Sequence, residues 1–152
     1  MIWFTSDTHF WHKGILEHRP FKDVEEMNET LITNWNSRVE SRDEIYHLGD
    51  FSFAGTKRTL DVLVRLNGIK FWIAGNHDKQ TRSKAEITKL FQWIKDYHVL
   101  KVQDPFSPHA FNGVQRIALF HYAMRVWDRS HYGTWHLYGH SHGNLYDDPN
   151  SR

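Results

Sequence analysis

The chain has 152 residues, a length typical of one domain with a single hydrophobic core. Its formal net charge of +1 is too balanced to indicate a nucleic-acid-binding surface by itself, and the absence of cysteine excludes a disulfide framework. No run approaches the roughly 20 apolar residues that a membrane span needs. We therefore expect a single cytoplasmic domain over residues 1–152, with neither a membrane nor an obligate protein partner.

Strands and helices are predicted to alternate in the first half of the chain. Three short apolar runs are typical of buried strands: 2–6, 44–48 and 69–74. Two amphipathic stretches between them predict helices: 23–38 and 56–66. Asp23, with Glu26 three residues later, is expected to cap the first of these helices. Such alternation favours an α/β fold.

The second half predicts one more helix and a further set of strands. Helical spacing favours a helix over 83–94. Residues 98–103 and 115–120 are expected to be strands of a second sheet, joined by a turn at 104–113 that contains proline and glycine. The stretch 122–133 is predicted to be a loop, and the short apolar run 135–138 follows it. Periodicity alone therefore predicts an α/β fold and no finer architecture.

Five groups of polar residues follow the apolar runs, and each offers carboxylate, amide or imidazole ligands. They are Asp7-Thr8-His9, Gly49-Asp50, Gly75-Asn76-His77-Asp78, His121 and Gly139-His140-Ser141-His142. Any one group has an ordinary explanation, because Gly-Asp is common turn chemistry and a single Asp-x-His is usually a solvated turn. Ligands at the carboxyl ends of neighbouring strands, however, converge on one crevice. The five groups in this order therefore predict a two-metal hydrolytic site.

The ligand types restrict the metals and suggest roles for individual residues. Nitrogen and oxygen donors without thiolate suit Mn²⁺, Fe, Zn²⁺, Co²⁺ or Ni²⁺, and the sequence does not choose among them. A carboxylate can bridge two cations, so Asp50 in the middle of the set is the expected bridging ligand. His140 and His142 are expected on the same side of an extended backbone. His77 is expected to be a general acid whose ring Asp78 holds, with a purely structural His77 as the alternative.

This motif order resembles that of the calcineurin-like metallophosphoesterase superfamily, and it covers the chain from Asp7 to His142. The forms D-T-H-F-x-H at Asp7 and H-L-G-D-F at His47 are similar to small single-domain bacterial and phage-type members. The resemblance implies a four-layer α-β-β-α sandwich of two mixed sheets flanked by helices. Because the chain ends ten residues after His142, we expect a short or missing last edge of the second sheet.

The resemblance also implies two ligand sets that share one residue. One ion would be held by Asp7, His9, Asp50 and His142. The other would be held by Asp50, Asn76, His121 and His140. A hydroxide between the two ions would attack phosphorus, which makes the protein a metal-dependent phosphoric ester hydrolase.

Diesters are the expected substrates, such as a cyclic nucleotide or another small phosphodiester. The motifs contain no arginine for the second charge of a monoester, and Phe10 and Trp11 follow the first motif. His12 and Arg125 are the candidate substrate contacts, although Arg19 or Arg125 could also supply the charge that a monoester needs. A phosphomonoesterase, a nuclease acting on short single strands or ends, and a non-catalytic module of the same fold remain alternatives.

Overall fold

The computed structural model describes residues 1–145 and contains a four-stranded parallel sheet in its first half. Its strand order follows the chain: β1 Ile2–Thr5, β2 Glu44–His47, β3 Ile69–Ile73 and β4 Ile94–Lys95. In this register Thr5 pairs with His47, and His47 pairs with Trp72. The strands predicted at 2–6, 44–48 and 69–74 are therefore confirmed within one residue at their ends, and each delivers a motif to the same edge.

Three α-helices pack on one face of this sheet. They are α1 Val24–Asn36, α2 Thr56–Leu63 and α3 Ala85–Thr88. The predicted cap of α1 is confirmed, because the Asp23 side chain accepts a hydrogen bond of 2.8 Å from the amide of Glu26. The core between helices and sheet includes Trp35 of α1, Leu63 of α2 and the fully buried Trp72 of β3.

The second sheet has three strands and faces the first. It contains β5 Tyr97–Gln103, β6 Val114–Phe120 and β7 Trp135–Leu137. β5 and β6 are antiparallel, whereas β7 runs parallel to β6. Buried side chains of both sheets form one apolar layer: Tyr46, Leu48, Ile73, Leu100, Ile117 and Leu119. This layer fixes the distance between the two sheet edges that carry the polar motifs.

The helix predicted over 83–94 is wrong for most of its length. Only α3 and a 3₁₀ turn at Thr81–Ser83 are helical, and the predicted helix end becomes strand β4. The reason is the open edge of β3, whose amides need acceptors. Trp72 donates to the carbonyl of Trp93 at 3.1 Å, and Ala74 donates to that of Lys95 at 2.9 Å.

The predicted two-sheet α/β architecture is confirmed, with two differences in detail. The first sheet is entirely parallel instead of mixed. Within residues 1–145 the outer face of the second sheet carries a loop instead of an α-helix: Arg116 donates to Asp128, and the Trp127 ring packs 5.3 Å from that of His136. The expected edge beyond His142 falls on residues 146–152, outside the described part.

Among residues 1–145, no helix has both the length and the apolar character that a membrane span requires. α1, at 13 residues, is the longest α-helix there.

Candidate metal centre

The five polar motifs meet at the carboxyl ends of the strands, as the sequence predicts. Two groups of side chains each bring their ligand atoms within 4.8 Å of one another. The first group is Asp7, His9 and His142, and the second is Asp50, His121 and His140. Both groups draw on strands of both sheets, so the centre depends on the sandwich as a whole.

Asp50 belongs to the second group and also approaches the first. Its Oδ2 is 3.9 Å from Nε2 of His9 and 3.4 Å from Nε2 of His121. Its Oδ1 faces away and accepts a hydrogen bond of 3.0 Å from the amide of His77. Asn76 joins the second group, since its Oδ1 lies 2.9 Å from Nε2 of His121. One carboxylate oxygen of Asp50 therefore faces both groups.

The ring nitrogens of two histidines are arranged as metal ligands usually are. His9 Nδ1 contacts Nδ1 of His12 at 3.1 Å, whereas its Nε2 is buried without any hydrogen-bond partner and lies 3.6 Å from Oδ1 of Asp7. A buried nitrogen without a partner costs free energy, which a cation would offset. In His121, Nδ1 donates a hydrogen bond of 2.8 Å to the carbonyl oxygen of Leu48, and Nε2 therefore faces the centre. The donor set thus fits a divalent transition metal in each group.

Five of the predicted ligands have a left-handed backbone. Their φ angles are 50° at Asp7, 51° at His9, 55° at Asp50, 63° at His140 and 48° at His142. Residues other than glycine rarely adopt this conformation, and it persists only where the surroundings impose it. The expected extended backbone at His140 and His142 is therefore wrong. The turn sends each imidazole to a different group.

The motif glycines are needed because ligands fill the space where a side chain would be. A Cβ on Gly49 would lie 2.3 Å from Nδ1 of His121, and one on Gly75 would lie 2.2 Å from Oδ1 of Asp50. A Cβ on Gly139 would lie 2.3 Å from Oδ2 of Asp7. These distances are far inside van der Waals contact, so the motif glycines are requirements of ligand packing.

Asp78 does not hold the ring of His77, and that prediction is wrong. The Asp78 carboxylate is fully buried and accepts four hydrogen bonds, from the loops around it and from strand β3. Its Oδ2 accepts from the amides of Asp50 and Gly75 at 2.7 Å each and from Nε1 of Trp72 at 3.2 Å. Its Oδ1 accepts from the amide of Phe51 at 3.0 Å. Asp78 therefore ties the second and third motifs together.

His77 lies beside the ligands with its ring free. Its side chain is exposed, and its ring centroid is 6.3 Å from that of His9 and 4.7 Å from that of Phe53. A hydrogen bond from the backbone amide of His77 to Oδ1 of Asp50 fixes the backbone at this residue. The ring is thus next to the centre but outside both ligand groups.

The candidate substrate contacts His12, Arg19 and Arg125 have different surroundings. His12 supports the ring of His9 and stacks on Phe53, with centroids 3.8 Å apart. Arg19 donates to the carbonyl oxygens of Asp7 and Thr8, so its charge is engaged by the backbone. Arg125 is exposed in the loop after His121, and no ion pair holds it among residues 1–145.

Sequence reasoning missed the two aromatic residues that flank the ligands. Phe53 stacks on His9 and His12, and Tyr122 lies edge-on to His121 and His140 at 5.0 and 4.7 Å. Phe10 and Trp11 instead contribute to the core. The usable signal was proximity in sequence, because Phe53 comes three residues after Asp50 and Tyr122 directly follows His121.

Local charge keeps the ligand carboxylates ionised. Burial alone would raise the pKa of Asp7, but contacts with His9 and Ser6 outweigh it and hold that pKa well below its usual range. The pKa of Asp50 is lowered in the same way by His121 and the amide of His77 against the effect of burial. Burial lowers the pKa of His47 to about 3, so this histidine is a neutral core residue that bonds Thr8.

Two carboxylate–imidazole groups approach each other at Asp50, at the strand ends of facing sheets, and form a candidate two-metal centre of the kind that metal-dependent phosphoesterases use. Residues 1–136 match the model of the calcineurin-like phosphoesterase family, and the chain belongs to that family. Membership implies metal-dependent hydrolysis of phosphate esters. The resemblance carried by the motifs is therefore confirmed.

Relatives include archaeal, phage and bacterial proteins. The chain is 33% identical to an uncharacterized protein of Methanocaldococcus jannaschii over 151 residues, 97% of this chain and 72% of that one. The Gene 66 proteins of Mycobacterium phages L5 and D29 are 38% and 32% identical over 64% and 63% of this chain, and those regions are 50% and 51% of the phage proteins. The crystal structure of a protein of unknown function from Aquifex aeolicus superposes with a TM-score of 0.66 at 27% identity, covering 92% of this chain and 78% of that one.

Proposed function

We propose that the protein is a two-metal phosphodiesterase acting on a small phosphate ester. The ligands of one ion would be Asp7, His9, Asp50 and His142. The ligands of the other would be Asp50, Asn76, His121 and His140. The observation that carries the proposal is the buried, unpaired Nε2 of His9 facing Asp7 and Asp50.

The ions and the chain have separate tasks in this proposal. Two bound cations supply Lewis-acid charge and lower the pKa of coordinated water towards about 7. The chain keeps the ligand set rigid, because Asp78 joins the loops of Asp50 and Gly75, and His12 orients the ring of His9. Asp50 contributes Oδ2 to both groups while its Oδ1 holds the amide of His77.

His77 is the proposed general acid for the leaving oxygen. Its ring is exposed beside the centre and is not a member of either ligand group. The ring packs near Phe53, which limits the positions that it can take. A proton delivered from such a ring would prevent the departure of an unstabilised alkoxide.

A preference for diesters follows from the charges and walls near the centre. Monoesters are dianions and benefit from an additional cation. Arg19 is already bound to two backbone carbonyls, and among residues 1–145 the exposed Arg125 makes no hydrogen bond or ion pair that would hold it at the centre. Phe53 and Tyr122 supply aromatic walls next to the ligands, as a second organic arm requires. The balance therefore favours a diester substrate.

A substrate panel tests the proposal. The metal-free protein is loaded with Mn²⁺ or Ni²⁺ and assayed on bis(4-nitrophenyl) phosphate, 4-nitrophenyl phosphate, 2′,3′-cyclic nucleotides and short single-stranded DNA and RNA. We expect metal-dependent hydrolysis with a higher kcat/KM on the diester than on the matched monoester. A higher value on the monoester would make the protein a phosphatase, and cleavage confined to the oligonucleotides would make it a nuclease.

The variant His77→Ala tests the general acid. It should keep its metals but lose roughly 10²- to 10⁴-fold in kcat on esters of poorly acidic alcohols, and much less on nitrophenyl esters. The exposed His18→Ala is the matched control and should change neither rate. An equal loss on both ester types would assign His77 a positioning role.

A further inference from the structure

A separate cavity of about 210 Å³ opens beside the ring of His77. It lies between the start of α2 and the segment that leads into α3. Its walls include Phe53, Thr56, His77, Gln80 and Lys84. None of these residues belongs to the two ligand groups, so the cavity is an additional feature of the site.

We infer that this cavity binds the leaving group of the substrate, and that the preferred leaving group is an alcohol or phenol carrying an additional negative charge. The inference rests on the proposed function and names the substrate class for that site. Its two parts, position and charge, are supported by different residues.

The position of the leaving group follows from His77, whose ring lies beside the metal centre and also lines the cavity. A general acid must lie within hydrogen-bond reach of the oxygen that it protonates, directly or through one water. The leaving oxygen therefore has to lie on the side of His77. Since His77 and Phe53 are also cavity walls, the remainder of the leaving group extends from that oxygen into the cavity.

The preferred charge follows from Lys84, which lines the cavity within a segment rich in basic residues. The segment 79–89 contains Lys79, Arg82, Lys84 and Lys89 but only one acidic residue, Glu86. Arg82 is paired with Asp96, whereas Lys84 is exposed at the cavity wall with no ion pair among the described residues.

The start of α2 on the opposite wall, together with Gln80, also favours a negatively charged leaving group. α2 has no acidic residue in its first turn, and no side chain caps its first amides. The positive end of the helix dipole therefore adds to the charge of Lys84. Gln80 and Thr56 supply hydrogen-bond donors for the oxygens of an anion.

Two methyl aryl phosphates of nearly equal shape test the inference. Methyl 4-carboxyphenyl phosphate carries a charged leaving group, and methyl 4-carbamoylphenyl phosphate carries a neutral one. We expect the wild-type protein to prefer the charged ester, mainly through KM. Lys84→Gln should reduce that preference by about two- to fivefold, the range of an exposed charge contact. Lys89→Gln, an exposed lysine outside the cavity, is the matched control and should retain it.

Salt and product inhibition provide independent readouts. The wild-type preference should shrink as ionic strength rises, because surface charges are screened beyond about 10 Å at 0.1 M salt. The product 4-hydroxybenzoate should inhibit more strongly than 4-hydroxybenzamide, and Lys84→Gln should remove the difference. Equal preference in the wild type and Lys84→Gln would overturn the leaving-group site while the proposed function stands. No hydrolysis of any ester by the metal-loaded protein would overturn both.

Discussion

Replacing Asp78 by asparagine distinguishes two roles of this residue. The structure shows that Asp78 anchors the loops of two motifs, whereas the sequence predicts that it holds the ring of His77. The amide side chain keeps one oxygen facing the three donors now bonded to Oδ2, but a neutral amide oxygen has only two lone pairs for them. The new NH₂ group then faces the amide of Phe51, which loses its acceptor. An unsatisfied buried amide costs about 1–3 kcal/mol, and three bonds lose the strengthening that a charged acceptor gives.

The buried charge that disappears offsets part of this cost, because burial raises the pKa of Asp78. We expect Asp78→Asn to lower the free energy of unfolding by about 2–4 kcal/mol. That is a large share of a total stability of about 5–15 kcal/mol, and it lowers Tm by roughly 5–15 °C. Binding of both metals should weaken as well, since the loops of Asp50 and Gly75 lose their common anchor.

Thermal and denaturant unfolding of the metal-free protein measures the effect, with the exposed Asp61→Asn as the matched control. The control should unfold at the same temperature and denaturant concentration as the wild type. If Asp78→Asn unfolded at the wild-type temperature and altered only the pH dependence of kcat, Asp78 would act on His77, and the stabilising role argued from its four hydrogen bonds would be refuted.

Two further substitutions test the packing and the titration of the site. Gly75→Ala should weaken metal binding and cost about 1–3 kcal/mol in stability, because its Cβ would lie 2.2 Å from Asp50 Oδ1. In the control Gly55→Ala the new Cβ would have no neighbouring atom within 4 Å, so metal affinity measured by calorimetric titration should stay unchanged. His47→Gln should flatten the loss of stability on acidification. The pKa of His47 is about 3 in the folded protein against 6.5 as the ordinary value, so protons bind the unfolded chain first. Stability therefore falls by up to about 1.4 kcal/mol per pH unit as the pH drops from 6.5 to about 3. An unchanged slope in His47→Gln, relative to the exposed His18→Gln, would contradict this.

The convergence of the candidate ligands was predictable from the sequence, because the motifs consist of the side-chain types that bind divalent metals. Carboxylates and imidazoles that follow apolar strands have few other reasons to occur in that order, and all predicted groups converge. The backbone at these residues was not predictable. Asp50 and His140 adopt positive φ where their amides donate to the distant residues Asp78 and Asp7.

Partners distant in sequence account for the other differences. The sequence predicts that Asp78 holds its neighbour His77, but its hydrogen bonds reach back to Asp50 and Phe51. The spacing of Ile87, Phe91 and Ile94 suits a helix as well as the observed turn and strand. The unpaired edge of β3 decides between them, and a local pattern carries no information about that edge.

Metal content of the wild type and of Asp50→Ala tests the shared centre most directly. The metal-free proteins are dialysed against Mn²⁺ or Zn²⁺ and analysed for bound metal, with Asp61→Ala as the control. We expect two equivalents in the wild type and the control, and less than one in Asp50→Ala, because Oδ2 of Asp50 faces both ligand groups. Two full equivalents in Asp50→Ala would contradict a centre built around this aspartate.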